Sequence, residues 1–163
     1  MSIFVQATDA PRYENGVVTG VSLVLAGIFA VMAVAQLFTY EDFPAALSGY
    51  WLLGGQVSVH LVAALLVTFE VFTLPFLLRM RVSPLMRLMS LAFAWLAAAV
   101  WLVLSLWVVT TTNALTNAGL LGATVRLTPG WWQVVFSVAL LALVGFITRK
   151  QRSTLVMRHR TVK

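Results

Sequence analysis

Residues Val17 to Phe38 read VVTGVSLVLAGIFAVMAVAQLF, 22 residues without one charged side chain. A helix rises about 1.5 Å per residue, so about 20 such residues cross a hydrocarbon core of about 30 Å. The stretch predicts a membrane-spanning helix, and three more of the same kind follow. Gly54 to Leu78 has His60 and Glu70 as its only ionisable side chains, while Leu88 to Thr112 and Trp131 to Thr148 have none. Apolar residues make up 61% of the 163, against about 45–50% in soluble domains. The whole chain, 1–163, is therefore expected to be one all-α polytopic membrane domain. It should form a four-transmembrane-helix bundle over 17–38, 54–78, 88–112 and 131–148, with a basic tail over 149–163.

The connections are short. Between the first two spans, Thr39-Tyr40-Glu41-Asp42-Phe43-Pro44-Ala45-Ala46-Leu47 offers Asp42 as an N-cap and Pro44 near a helix start, which predicts a short interfacial helix. Asn113, Asn117, Gly119, Gly122 and Pro129 predict an irregular loop over 113–130. Lys and Arg are retained on the cytoplasmic side of spans. Ten basic residues, among them Arg79, Arg81, Arg87, Arg149, Lys150 and Arg152, fall on one face and Arg126 alone on the other. That asymmetry places both termini in the cytoplasm and the chain in the inner (cytoplasmic) membrane. Ala33-Val34-Ala35 has the form of a signal-peptidase site, but Asp9 and Glu14 precede the apolar run and the run exceeds an ordinary h-region, so the segment is read as a helix.

Composition also excludes functions. Without cysteine the chain has no disulfide, thiol catalysis, Cys-ligated zinc or iron–sulfur cluster of its own. The formal charge of +6 does not point to nucleic acid, because the basic residues sit at helix ends with no aromatic interleaving. Arg149, Lys150 and Arg152 suit lipid anchoring at anionic headgroups. No nucleophile–base pair, metal cluster or phosphate loop is written in the sequence, so a self-contained hydrolase or kinase is not expected.

Helices associate in lipid through small residues. Ser22, Ala26, Ala30 and Ala33 form such a seam on the first span, and Ser90, Ala94, Ala97, Trp101 and Ser105 form one on the third. Trp51, Trp131 and Trp132 fall at span ends, where indole rings suit the interface. Trp95, Trp101 and Trp107, six apart, spread around their helix and make no aromatic box.

Polar side chains inside spans are expensive in lipid and should face the bundle interior. At 100° per residue, Gln56, His60 and Glu70 share an arc of about 80° on the second span. Glu70 lies about 15 Å deeper than His60, so the two are not a catalytic pair. Gln36, Gln56, His60, Ser105 and Gln133 are expected to line an outer pocket suited to a quinone headgroup or another flat apolar ligand. The plainer reading is that they hydrogen-bond one another to fix packing. Bis-His ligation of haem by this chain alone needs a second intramembrane histidine, and His159 is in the tail. For Glu70 two readings stand: a structural pair with Arg87 or a bond from Ser90, or a proton or cation site. Pro75 marks a candidate kink in the same span.

The segment Ala33 to Tyr50 resembles the DoxX/MauE-like membrane family. In that family the first helix ends in small residues and a Lys-Leu/Phe pattern, followed by a short helix with Phe and Leu and then a Tyr. Glu70 with the apolar run Val71 to Leu78 looks like the family's glutamate late in the second helix, and the resemblance covers about residues 20–148. It implies an accessory or anchoring subunit of a membrane redox assembly, linked to quinone or to a redox partner protein. The family's glutamate falls on Glu70 and its first-helix lysine on Gln36, a departure that removes a charge partner. Two alternatives remain open: a small proton-coupled transporter using Glu70, acting as a homo-oligomer, and a purely structural subunit of an energy-converting complex.

Overall fold

Each apolar stretch folds as a helix: α1 spans Gly16–Phe38, α3 Gly55–Leu77, α4 Pro84–Thr111 and α5 Trp131–Arg160, with the short α2, Phe43–Ser48, between α1 and α3. The computed structural model describes residues 16–48, 55–111, 117–125 and 127–160, with 46, 55–57 and 151–160 described by backbone alone. Among the described residues there is no strand, and the four long helices are each long and apolar enough to cross a membrane. The chain is a multi-pass membrane protein with an all-α fold.

Two helix boundaries differ from expectation, and both lie at basic residues. α4 begins four residues before Leu88, because Ser83 caps it by accepting a hydrogen bond from the Met86 amide (3.2 Å) and Pro84 occupies the first helical position. A search for uncharged stretches stops at Arg87, but a helix end is set by its cap and not by the edge of lipid. α5 likewise continues past Thr148 to Arg160, so most of the basic tail is helical.

The long helices pack in the ring α1–α3–α4–α5, each antiparallel to the next in sequence, and the α1–α5 seam is the thinnest. One end of the bundle carries Arg79, Arg81, Arg87, Arg149 and Lys150 and is called here the basic end. The other, covered by α2 and residues 117–125 and 127–130, is the capped end.

At the basic end, α3 finishes in a Schellman motif: the Met80 amide donates to the Pro75 carbonyl (3.0 Å) and the Arg79 amide to that of Phe76 (3.2 Å). Arg79 takes the left-handed conformation usually left to glycine (φ 60°), and its guanidinium donates to Thr19 Oγ1 of α1 at 2.9 Å. Two seam serines donate to α3 carbonyls, Ser22 to Leu77 at 2.7 Å and Ser90 to Phe72. The core here is apolar and tightly closed, with Leu25, Phe29, Leu77, Ala94, Ala97 and Leu140 fully buried.

At the capped end, α2 is the expected short helix between the first two spans, and it turns one face into the bundle. Phe43 and Leu47 are fully buried in the same core cluster as Val59, Leu66 and Trp101. Residues 117–125 fold over this end. Asn117 holds their turn together, its Nδ2 donating to the Gly122 carbonyl (2.9 Å) and its Oδ1 accepting from the Gly119 amide (3.1 Å). The lid is pinned to the end of α1, where Thr39 Oγ1 accepts from the Ala123 amide at 2.9 Å. Only glycine fits at 122: its φ is +58°, and a Cβ there would meet Thr39 Oγ1 at 2.2 Å and the Ala35 carbonyl at 3.0 Å.

Candidate functional site

Under this lid three helices bring polar side chains to one point. Glu70 of α3 is fully buried, and its Oε1 accepts from Trp101 Nε1 of α4 at 2.8 Å and from Gln36 Nε2 of α1 at 3.3 Å. The same Gln36 amide donates to the Leu120 carbonyl of the lid at 3.1 Å. Gln36 and Trp101 are themselves fully buried.

The convergence follows from helix direction. Each Cα–Cβ bond leans toward the N-terminus of its own helix. α1 and α4 run toward the capped end, so Gln36 and Trp101 lean back toward the basic end. α3 runs the other way, so Glu70 leans toward the cap and meets them between their levels. That lean corrects two expectations about Glu70. Arg87, half-buried in the first turn of α4, is not among its partners, because Glu70 points away from that end. Ser90 lies near Glu70 in level but gives its hydroxyl to the Phe72 carbonyl.

The expected outer pocket is only partly assembled. Gln36, Ser105 and Gln133 are fully buried, and Ser105 lies 3.5 Å from Ser137 of α5 while donating to the Leu102 carbonyl at 2.9 Å. His60 is exposed on the outer surface of α3. The buried face of α3 is centred on Val59, Ala63, Leu66, Glu70 and Leu77, and His60 sits one residue, about 100°, round from Val59. The Gln56 side chain lies outside the described residues, as do those of Trp51, Arg126 and Arg152. Arg149 and Lys150 are exposed at the basic end. Gln36, His60, Ser105 and Gln133 do not line a recess of about 480 Å3 between α1, α5 and the lid, whose wall is apolar among the described residues.

Trp101 is the partner that sequence reading placed only in a packing seam. A signal for its role was present, since a tryptophan among the Ser and Ala of an inward face must find an acceptor for its N–H. The Leu120 carbonyl had no such signal, because backbone acceptors are not written in side chains.

Chemically, the site holds a carboxyl group among neutral donors. Both bonds fall on Oε1, while Glu70 Oε2 and Gln36 Oε1 are buried and make no hydrogen bond to the described residues. Among the described residues no three of His, Cys, Asp and Glu gather as metal ligands. Comparisons with protein-family models, with curated proteins and with solved structures found no match. The geometry of the buried cluster is therefore what any functional reading must stand on.

Proposed function

We propose that this chain is a DoxX/MauE-like accessory or anchoring subunit of a membrane redox assembly, acting through a quinone or a redox partner. The observation that carries the reading is the 3.3 Å contact between Gln36 and Glu70. These two positions, 34 residues apart, are the ones on which the resemblance places a lysine and a glutamate. Side chains that would form an ion pair in such a family touch here as a hydrogen bond. A four-span bundle with a short helix after the first span is the architecture the same resemblance implies.

The test is native mass spectrometry of the chain extracted from its own membrane in mild detergent. A stoichiometric redox subunit or a bound quinone is the expected result. A bare homo-oligomer carrying neither would overturn the reading.

A second reading, a small proton-coupled transporter, draws on a different observation: Glu70 Oε2 is buried without a hydrogen bond to the described residues, and both partners of Oε1 are neutral. Glu70→Gln separates the two. The amide keeps an acceptor for Trp101 and Gln36, so an accessory subunit retains its fold and its partners. A transporter with that variant loses proton coupling outright, measured as substrate-driven pH change in proteoliposomes.

A further inference from the structure

We propose that the turn over 117–125 is a gate above the Glu70 carboxyl and that Gln36 is its latch, so that the state of the one sets the state of the other. The inference goes beyond the redox reading and does not rest on it.

The latch is a single nitrogen atom. Gln36 Nε2 carries two N–H groups, and it donates to Glu70 Oε1 of α3 at 3.3 Å and to the Leu120 carbonyl of the lid at 3.1 Å. Both N–H groups lie in the amide plane, so the two acceptors together fix that plane. Turned over, the amide would set its own oxygen against Glu70 Oε1 and the Leu120 carbonyl, with no proton between acceptors. The orientation that holds the lid is therefore the one that the carboxyl also requires. Removing either acceptor frees the amide to turn and weakens its hold on the other.

The lid is built to move as a unit. Asn117 bonds to the Gly122 carbonyl and the Gly119 amide, and the Gly122 amide donates to the Gly119 carbonyl at 3.0 Å. Those bonds stay within the turn and survive if it lifts. Its ties to α1 fall together at the end of that helix: Gln36 to Leu120, Thr39 to the Ala123 amide, and Thr124 Oγ1 to the Ala35 carbonyl at 3.4 Å. Thr39 Oγ1 donates to the same Ala35 carbonyl at 3.0 Å, so the ties share atoms. Groups in one hydrogen-bond network lose their contacts together and not one at a time.

Leu120 joins the seat to the site. Its carbonyl is the one the latch holds, and its side chain is buried in the core cluster that includes Phe43 and Trp101. Trp101 is in turn the other donor to Glu70 Oε1. Lifting the turn withdraws Leu120 from beside both donors and opens the carboxyl to the water of the capped end. A seated lid keeps that water out.

Linkage is reciprocal, so each end is perturbed while the other is read. In full-length chain held in lipid nanodiscs, amide hydrogen exchange over 117–125 reads the lid. Modification by a water-soluble carbodiimide with glycine methyl ester, located by peptide mass spectrometry, reads Glu70, with exposed Glu41 and Asp42 as the reference for reagent access. Glu70→Met removes the acceptor from α3, and lid exchange is expected to rise about two- to tenfold, the value of one hydrogen bond, with the basic end unchanged. Gly122→Ala and Thr39→Val act on the lid, and modification of Glu70 should rise by a similar factor. Once Gln36→Met has removed the latch, Glu70→Met should add nothing further to lid exchange. If Glu70→Met fails to fold, the two lid variants test the coupling from the other side. Lid exchange indifferent to Glu70→Met would overturn the proposal. So would Glu70 modification that stays at its native level in both lid variants, or that rises only in step with exchange at the basic end.

Discussion

The two ends of the bundle solve the same problem differently. At the basic end, seam serines donate to the α3 carbonyls of Leu77 and Phe72, and the apolar core is Leu, Phe, Ala, Val and Ile, with no buried charge among the described residues. At the capped end, a buried carboxyl, an indole and an amide meet under a loop, and two of their oxygens make no hydrogen bond to the described residues. In lipid, helix association gains little from apolar burial and rests on close packing and interhelical hydrogen bonds. The basic end is thus an efficient structural closure, and the capped end carries polarity in excess of what closure needs. Excess buried polarity is where function is expected in a membrane span.

The largest break in that contrast should come at Trp101, which is fully buried and bonded to Glu70. Trp101→Ala removes core volume and one of the two donors to the carboxyl, and is expected to cost about 3–5 kcal/mol in reversible unfolding in mixed micelles. A loss no greater than that of an exposed α4 position such as Val103 would show that the cluster does not hold the bundle. Gly122→Ala is next. The left-handed backbone alone costs about 1–2 kcal/mol, and the new methyl collides with the end of α1. Its expected signature is local: faster protease cleavage within 117–125 with the basic end unchanged. Cleavage as slow as in the native chain would mean that the lid is not seated through this turn. Ser22→Ala should show the smallest effect, about 0.6 kcal/mol, because it removes one interhelical bond from a seam that keeps its close packing. A cost as large as that of Trp101→Ala would erase the distinction between the two ends.

Much of the inward surface could be read from residue types alone. Ser90, Ala94, Ala97, Trp101 and Ser105, projected as one seam, are all buried, and so are Ser22, Ala26 and Ala33 of α1, with Ala30 half-buried beside them. Small residues mark a helix interface wherever it lies, so the pattern is local. The rotation of α3 was not legible in the same way. Its Val and Leu are as apolar on the lipid face as on the inner face, and the arc drawn through Gln56, His60 and Glu70 placed His60 inside when it lies outside.

Length and hydropathy by themselves determined the four spans and their order. These properties follow from matching an apolar stretch to the thickness of a bilayer, which needs no knowledge of neighbouring helices. Only the tertiary structure decided that Glu70 meets Gln36 and Trp101 instead of Arg87 and that a loop carbonyl joins them. Those outcomes depend on which way each helix runs and how it is turned about its axis, since the lean of each side chain along its own helix sets the level at which side chains from different helices meet.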